Sequence, residues 1–433
     1  MFPAEFINEM RDSLGPERAE RVLSALAGEP AVSVRVNPRK LTLVALRAHF
    51  GTLAGDVVPW ASDEAFYLND RPSFTLDPLF HAGAYYVQEA SSMYVGQLFE
   101  RAKAMLGKEA LRVLDLCAAP GGKTTQLLSR LDPSSLLVAN EIVPARATVL
   151  AENVARWGCA NVAVASSDPS VFASLRGFFD LAVVDAPCSG EGMFRKDERA
   201  VAEWSPDAVR LCAARQRRIL ADFWPALAPG GFLIYSTCTF NRFEDEDNVS
   251  WICSELGGTL LSQRHFYPGE DRGEGFFAAL IRKAGTYAAG PVAAADGLAC
   301  LEKGSLVKLF PEAFVRDLAR LEKNLRIIAS GVAVATRKGR DLVPEADLAL
   351  AGDSVREAVS AFLPELSYTS VEVSREEALR FLSRESVVFP AAPRGYLLLT
   401  YAGLGLGFVK NLGTRTNSLL PPARRIRVQS SMK

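Results

Sequence analysis

Five short apolar segments lie in the middle of the chain, between about residues 111 and 282, most of them separated by a stretch of helix length. In chain order they are LRVLDL, SLLVAN, NVAVAS, FDLAVVD and GFLIYS. Continuous apolar runs of this length are typical of parallel strands covered by helices on both faces. The pattern predicts an open, doubly wound α/β domain. Two later segments, around Gly258–Leu261 and Gly275–Ile281, predict an added hairpin at the edge of the sheet.

The regions on either side of this domain have a different pattern. Before it, helical apolar spacing from Phe6 to Leu26 is followed by the alternating, strand-like stretch Ala31–Pro38. After Lys283 come small residues typical of a linker, a helical section (Phe314–Ile328) and a strand-like stretch (Gly331–Thr336). We therefore predict four units, which comprise residues 1–105, 106–284, 297–365 and 366–433.

Charge and cysteine content restrict the class of protein. The net charge of -1 argues against a chain that binds nucleic acid by bulk charge, although residues 405–433 hold six basic and no acidic residues. No apolar run reaches membrane-spanning length and the N-terminus has no secretory pattern, so we expect a soluble, cytoplasmic protein with no membrane partner. Seven cysteines without a Cys-x-x-Cys pair argue against disulfides and a zinc site, so no metal is expected.

A loop with two adjacent glycines follows the first apolar segment and leads directly into a helical stretch. Such a loop lets backbone N–H groups and a helix N-terminus approach a ligand closely. A nucleoside-triphosphate loop would need a glycine five positions before Gly122, where this chain has Cys117. The loop therefore predicts a nucleoside site in a Rossmann-like sheet, formed by Cys117, Ala118, Ala119, Pro120, Gly121, Gly122 and Lys123.

An acidic residue follows each of the first four apolar segments: Asp115, Glu141, Asp168 and Asp185. The carboxyl ends of parallel strands meet in one crevice, so these acids are expected to converge there, with Glu141 on the ribose hydroxyls of a ligand. The alternative is that they are helix caps or turn residues. No basic residue stands directly beside Glu141 and the pattern G-x-G-x-x-G is absent, so S-adenosylmethionine fits better than NAD.

Two cysteines follow the fourth and fifth segments, which are expected to be neighbouring strands. Cys188 and Cys238 should therefore both face the crevice. A thiolate that adds to carbon 6 of cytosine activates carbon 5 toward a sulfonium methyl group, and a proton must then leave carbon 5. Asp185 is placed to bind nitrogen 3 of the ring. The other cysteines are expected to be structural: Cys117, Cys159, Cys212, Cys253 and Cys300.

Three long segments carry a family resemblance: VLDLCAAPGGKTT, VVDAPCSGEGMFRKD and YSTCTFNRFEDEDNV. With the stretch His81–Ser92 they resemble the RNA cytosine-5 methyltransferase family (NSUN/Fmu type) over residues 1 to 283. The resemblance implies a Rossmann-like class I S-adenosylmethionine-dependent methyltransferase core, preceded by an N-terminal RNA-binding extension. It implies that Cys238 is the nucleophile, that Cys188 is needed for product release and that Asp185 contacts the target base.

The same resemblance implies the remaining site residues. S-adenosylmethionine would be held by the loop from Cys117 to Lys123 with Glu141, Asp168 and Asp185. Arg195 and Lys196 would contact RNA near the target base. DNA cytosine-5 methyltransferases use a single Pro-Cys nucleophile, so the additional Thr-Cys pair at 237–238 favours RNA.

Within this family, the C-terminal extension resembles that of bacterial 16S rRNA methyltransferases of the RsmF (YebU) type. Residues 331–344 resemble a first C-terminal RNA-binding module, and Gly405–Lys410 with Asn417 and Arg425 resembles a PUA-like module. Lys410 and Arg425 would contact RNA there.

The implied function is methylation of carbon 5 of a cytosine in 16S rRNA through a covalent cysteine–cytosine intermediate. The target within the small subunit or its precursor stays open, and a monomer is favoured. Two alternatives remain: a tRNA cytosine-5 methyltransferase, and a non-catalytic ribosome assembly factor on the same scaffold.

Overall fold

The structure is a computed structural model that describes residues 2–287 and 297–427. Most of the predicted linker (residues 288–296) and the last six residues of the chain lie outside the described residues. Within the described ranges, no helix combines the length and the apolar composition needed to cross a membrane.

The N-terminal region contains four helices and a small antiparallel sheet of order β2-β3-β1-β4. The stretch predicted as helical from Phe6 to Leu26 is two helices, because Gly15 has a positive φ of 78° and Pro16 starts the second helix. The elements are α1 (Ala4–Leu14), α2 (Pro16–Leu26), β1 (Val32–Val36), α3 (Leu43–Phe50), β2 (Ala54–Val57), β3 (Ala65–Leu68), α4 (Pro78–His81) and β4 (Tyr85–Val87).

The middle of the chain forms the doubly wound α/β domain that the sequence predicts. Its elements are α5 (Tyr94–Leu106), β5 (Arg112–Asp115), α6 (Gly122–Arg130), β6 (Leu136–Asn140), α7 (Pro144–Trp157), β7 (Val162–Ala165), β8 (Phe179–Asp185), α8 (Glu198–Glu203), α9 (Pro206–Phe223), β9 (Leu227–Thr237), α10 (Glu246–Glu255), β10 (Gly258–Phe266) and β11 (Phe276–Lys283). Strands β5 to β9 are parallel. The β10–β11 hairpin adds antiparallel strands beside β9, as predicted.

Successive residues of the buried strands point to opposite faces of the sheet, and both faces are covered by helices. Val113 packs in a core with α5, α6 and α7, whereas its neighbour Leu114 packs in a second core with α9 and α10. This explains why the strands are continuous apolar runs. The helices are thereby held on the faces, which leaves the carboxyl ends of the strands free to form a site.

The C-terminal region contains two further four-stranded sheets, β12-β13-β15-β16 and β17-β18-β19-β20. Its elements are β12 (Leu298–Lys303), β13 (Leu306–Pro311), α11 (Val315–Asn324), β14 (Ile327–Ser330), β15 (Val332–Lys338), β16 (Asp341–Pro344), α12 (Ala346–Leu350), α13 (Asp353–Phe362), β17 (Thr369–Glu372), α14 (Arg375–Leu382), β18 (Gly395–Tyr401), β19 (Leu404–Asn411) and β20 (Thr416–Ser418).

One C-terminal strand completes the central sheet. The section predicted as helical up to Ile328 ends its helix at Asn324, and β14 pairs antiparallel with β7. The eight-stranded order is therefore β10-β11-β9-β8-β5-β6-β7-β14. Helix α11 covers part of the second face, where Asp317 pairs with Arg112 at 2.8 Å. The C-terminal region is thus packed directly on the α/β domain.

Gly83 lies where the N-terminal region packs closely on α7, so a substitution there tests this packing. Its φ is 70°, and a Cβ there would lie 2.0 Å from the carbonyl oxygen of Arg156. Gly107 has a similar φ of 59° and no heavy atom within 4 Å of such a Cβ. Gly107→Ala should cost only the left-handed strain, about 1–2 kcal/mol, whereas Gly83→Ala should cost about 1–3 kcal/mol more. Thermal unfolding of both variants checks this, and equal melting temperatures would contradict the close packing.

Candidate active site

Two cysteines meet beyond the carboxyl ends of β8 and β9. These strands are parallel neighbours, as predicted, and their register places Asp185 opposite Ser236. Just beyond this pair, the Sγ atoms of Cys188 and Cys238 lie 3.1 Å apart. Both thiols are half-buried and free. The fold therefore brings together two residues that are separated by 50 positions in the sequence.

Two buried carboxylates connect the Cys188 loop (residues 186–197), which follows β8, to the Cys238 loop (residues 238–245), which follows β9. Glu191, in the Cys188 loop, accepts a hydrogen bond from the backbone N–H of Phe240 at 2.6 Å. Glu244, in the Cys238 loop, accepts one from the backbone N–H of Ser189 at 3.1 Å. The side-chain amide of Asn241 donates to both carboxylates at 2.9 Å. Each loop therefore supplies the acceptor for the other, which fixes the separation of the thiols.

Sequence reasoning missed Glu191 and Glu244. Both lie inside the segments that carry the family resemblance, so the signal was present, but those acids had no predicted partner. Burial raises the pKa of Glu191 to about 7. The hydrogen bond that the Cys188 thiol shares with Cys238, burial and the charge of Cys238 raise the pKa of Cys188 well above its ordinary value. Cys188 is therefore a protonated thiol at neutral pH.

A pocket of about 350 Å³ lies beside the thiols. Cys238 and Asp185 form part of its wall, together with Tyr86 and Gln88 from the N-terminal region and Phe276 of β11. Most of the predicted glycine loop also lines it: Cys117, Ala118, Ala119, Pro120, Gly122 and Lys123. Gly121 lies at the start of α6 with a φ of 115°, which gives the loop its turn.

Lys123 neutralises the acidic side of this pocket. Its Nζ lies 2.7 Å from Asp185 and 5.0 Å from the ring centre of Phe276. Burial lowers the pKa of Lys123, but the negative charges of Asp185 and Asp115 outweigh burial and raise it overall. The ammonium group therefore stays charged.

Asp115 supplies an acceptor that suits a ligand with N–H or O–H groups. Burial raises its pKa to about 7. Its Oδ2 accepts a hydrogen bond from Thr124 at 2.7 Å, whereas its buried Oδ1 has no hydrogen-bond partner among the described residues. The ammonium and hydroxyl groups of S-adenosylmethionine can donate to this atom, and the N–H groups of the glycine loop suit its carboxylate, so the residues fit that cofactor.

Glu141 and Asp168 have different surroundings. Glu141 follows β6, is buried, and accepts a hydrogen bond from the backbone N–H of Val143 at 2.9 Å. Arg146 reaches it from α7 at 3.3 Å, so a basic residue does lie near Glu141, unlike the expectation from its immediate sequence neighbours. Asp168 is exposed and caps the short 3₁₀ helix Pro169–Ser174, as in the helix-cap alternative.

The four residues predicted to bind RNA lie in three places. Arg195 has an 8% exposed side chain and donates to Glu274 at 2.7 Å and to the carbonyl of Gly273 at 2.6 Å. Lys196 is exposed, lines the pocket and lies 3.7 Å from Glu274. In the C-terminal region, Lys410 and Arg425 are exposed. Of the four, Lys196 is the residue brought to the pocket.

The fold and the pocket define a class of enzyme. An open sheet with parallel central strands carries a glycine loop after its first strand and acids at the strand ends. The protein has the Rossmann-like core of the class I S-adenosylmethionine-dependent methyltransferases.

Three family models match successive parts of the chain. They are "N-terminal domain of 16S rRNA methyltransferase RsmF" over residues 2–90, "16S rRNA methyltransferase RsmB/F" over 103–282 and "Methyltransferase RsmF PUA domain" over 368–426. The chain belongs to the 16S rRNA methyltransferase RsmB/F family, of the RsmF type.

Curated relatives and solved structures agree with this placement. The chain is 32% identical to "Ribosomal RNA small subunit methyltransferase F" of Pectobacterium carotovorum subsp. carotovorum (strain PC1), over 97% of this chain and 95% of that protein. The protein of the same name from Klebsiella pneumoniae (strain 342) is 33% identical, over 97% and 96%.

Among solved structures, the methyltransferase homolog protein from Pyrococcus horikoshii has a TM-score of 0.56 and 30% identity, over 65% of this chain and 95% of that chain. NSun6 from Pyrococcus horikoshii with SFG has a TM-score of 0.57 and 21% identity, over 66% and 99%, and so shares the fold.

The buried carboxyl of Glu191 predicts a pH dependence of stability. Its pKa is about 7 in the folded protein against an ordinary 4.5, so its penalty is absent below pH 4.5 and grows as pH rises to about 7. Glu191→Gln should remove this slope, worth at most about 3 kcal/mol. Denaturant unfolding at pH 4.5 and 8 measures the slope, with the exposed Glu198→Gln as control. A Glu191→Gln slope equal to the wild-type slope would contradict the assignment.

Proposed function

We propose that this enzyme methylates carbon 5 of a cytosine in 16S rRNA through a covalent bond between Cys238 and the base. The observation that carries the proposal is the 3.1 Å contact between Cys188 and Cys238 at the mouth of a pocket that also contains Asp185 and Lys123. The relatives named above supply the substrate class, because they are called small-subunit ribosomal RNA methyltransferases.

S-adenosylmethionine would be held by the loop from Cys117 to Lys123, with Asp115, Glu141 and Asp185 accepting its donor groups. When bound, it supplies a methyl group on a sulfonium. Asp168 does not join this set in our proposal, because it is exposed and occupied as a helix cap.

In the first step, the Cys238 thiolate adds to carbon 6 of the cytosine. Only a thiolate is nucleophilic enough for this addition, and the Lys123 ammonium lines the same pocket as Cys238. Asp185 faces the same pocket and would hold a proton against nitrogen 3, where electron density develops as the ring accepts the thiolate. Ser236 donates to Asp185 Oδ1 at 2.7 Å and Lys123 to Oδ2, so the carboxyl group is held from two sides.

In the second step, after carbon 5 has gained the methyl group, Cys188 removes the proton from that carbon. Cys188 is a thiol while Cys238 is free, because its hydrogen bond with Cys238, burial and the charge of Cys238 raise the Cys188 pKa. Once Cys238 is bonded to carbon 6, it no longer carries charge, and Cys188 can release its own proton to solvent. Its thiolate then accepts the carbon 5 proton, the double bond between carbons 5 and 6 re-forms, and Cys238 leaves as a thiolate.

The RNA reaches the pocket through a larger cleft. A space of about 1240 Å³ between the N-terminal region and the α/β domain shares Gln88 and Lys196 with the pocket. The target base must leave its stack to enter, and the cleft has room for the neighbouring nucleotides. Lys196 would bind RNA near the base, and Lys410 and Arg425 would bind phosphates further away. Arg195 instead ties the Cys188 loop to its neighbours.

Cys238→Ala should abolish transfer of labelled methyl groups to small-subunit rRNA, because the variant cannot activate the ring. Binding of S-adenosylmethionine, measured by calorimetry, should stay close to wild type. Cys300→Ala, in β12, is the matched control and should retain activity. Assaying 16S rRNA, tRNA and assembled subunits in parallel, with bisulfite sequencing of the products, identifies the substrate. Substantial turnover by Cys238→Ala would overturn the nucleophile assignment, and transfer to tRNA alone would overturn the substrate.

Cys188→Ala should trap the enzyme on RNA after methyl transfer, because no group next to Cys238 then takes the carbon 5 proton. The expected product is an enzyme–RNA adduct that survives denaturing electrophoresis and is absent in the Cys188→Ala/Cys238→Ala double variant. Loss of the adduct in Cys188→Ala, or its persistence in the double variant, would exclude the division of roles.

A further inference from the structure

A buried carboxyl group lies next to the residues that flank Cys238 and does not line the pocket. Asp245 is fully buried, and its Oδ1 accepts hydrogen bonds from the hydroxyls of both Thr237 and Thr239. These two threonines flank Cys238 in the sequence. One oxygen atom thus holds the residue on each side of the thiol, at the point where β9 ends and the loop turns toward α10.

The second oxygen of Asp245 faces a histidine. Asp245 Oδ2 and His265 Nδ1 are both buried, lie 3.9 Å apart and have no hydrogen-bond partner among the described residues. The other ring nitrogen of His265 lies 2.8 Å from Glu246. The ring is held by Tyr267, stacked at 5.3 Å, and by Phe277 at 4.6 Å. Two buried polar atoms that face each other without hydrogen-bond partners indicate a shared proton or a bound ligand.

We propose that Asp245 is the positioning residue of the Cys238 loop, and that Asp245 and His265 share one proton between Oδ2 and Nδ1. Nε2–H of His265 then donates to the Glu246 carboxylate, and the two threonine hydroxyls donate to Oδ1. In this arrangement Oδ2 and Nδ1 move from 3.9 Å to hydrogen-bond distance, and every polar atom of the group then has a partner. The inference rests on the proposed role of Cys238 as the nucleophile.

Burial and the surrounding charges favour a proton at this place. Burial raises the pKa of Asp245 well above its ordinary value, and the negative charges of Glu246, Glu191 and Glu244 raise it further. Hydrogen bonding by Thr237 opposes these effects. A protonated Asp245 can donate to Nδ1, which a carboxylate cannot do.

The same residues raise the alternative of a metal ion, because ligand atoms of Asp245, Glu246 and His265 lie within 4.8 Å of one another. Two contacts argue for the proton. Glu246 is already bonded to the ring nitrogen of His265, and Oδ1 of Asp245 is taken by two hydroxyls. A metal ion would have to break the first of these contacts to gain a third ligand.

Substitutions of Asp245 test whether its contacts with the threonines and with His265 position the Cys238 loop. Asp245→Asn keeps an Oδ1 acceptor and can donate to His265, so kcat should stay close to wild type. Asp245→Leu removes both contacts, so kcat should fall about 100-fold, with little change in KM for RNA or in cofactor binding. Asp247→Leu, in the first turn of α10 just after Asp245 and paired only with the exposed Arg242 in the described residues, is the matched control and should retain kcat.

The thiol–thiol distance gives a readout that does not depend on methyl transfer. Diamide takes one hydrogen from each of two adjacent thiols and leaves a disulfide, so its rate of linking Cys188 to Cys238 reports where the loop holds Cys238. Mass spectrometry should find linkage at the wild-type rate in Asp245→Asn and at least about tenfold slower linkage in Asp245→Leu. His265→Phe, which keeps the ring stacking, should slow linkage in the same direction.

Several outcomes would overturn the inference. They are wild-type kcat and linkage in Asp245→Leu, an inactive Asp245→Asn with wild-type linkage, unchanged linkage in His265→Phe, and a stoichiometric metal ion whose removal by chelator lowers activity. If Asp245→Leu fails to bind cofactor, Thr239→Val replaces it and should show the same two losses to a smaller degree. Because linkage is measured on the protein alone, it remains informative even if Cys238→Ala keeps its activity.

Discussion

The parallel pairing of β8 with β9 is the constraint on which the active site depends. Because Asp185 lies opposite Ser236, the loops that follow the two strands leave the sheet side by side, and Cys188 and Cys238 come within 3.1 Å. The register is set by two buried apolar runs whose alternate residues must face opposite cores, and a slip by one residue would exchange those faces. Glu191 and Glu244, which join the two loops, then fix the separation of the two thiols that the sheet has brought together.

This arrangement concentrates buried acids in a small volume. Burial raises the pKa of Asp115 and Glu191 to about 7 and raises that of Asp245 well above its ordinary value. Lys123 compensates Asp185, whereas the other acids are held by neutral donors from backbone, threonine and amide groups. Such a site costs stability, which the two apolar cores on either face of the sheet offset. The active site therefore lies where the fold tolerates buried polar groups that have only some of their hydrogen-bond partners.

Local pattern predicted the sheet, the glycine loop and the convergence of Cys188 with Cys238, because each follows from strand order and strand ends. Contacts made across long stretches of sequence or around a helix turn were missed. Arg146 reaches Glu141 only because α7 turns it back toward the strand end. Arg195 was predicted, with Lys196, to contact RNA near the target base, yet its side chain is buried against Glu274, 79 positions away. No local periodicity carries information of this kind.

Strand β14 has a consequence for how the chain can be divided. It covers β7, which would otherwise be the outermost strand of the large sheet and would present a row of unsatisfied backbone N–H and C=O groups to other molecules. A protein truncated before residue 327 would therefore expose β7 as an unpaired edge strand and would be prone to self-association. Every strand that carries the site would still be present. In this enzyme, the C-terminal region therefore protects the catalytic sheet from edge-to-edge association.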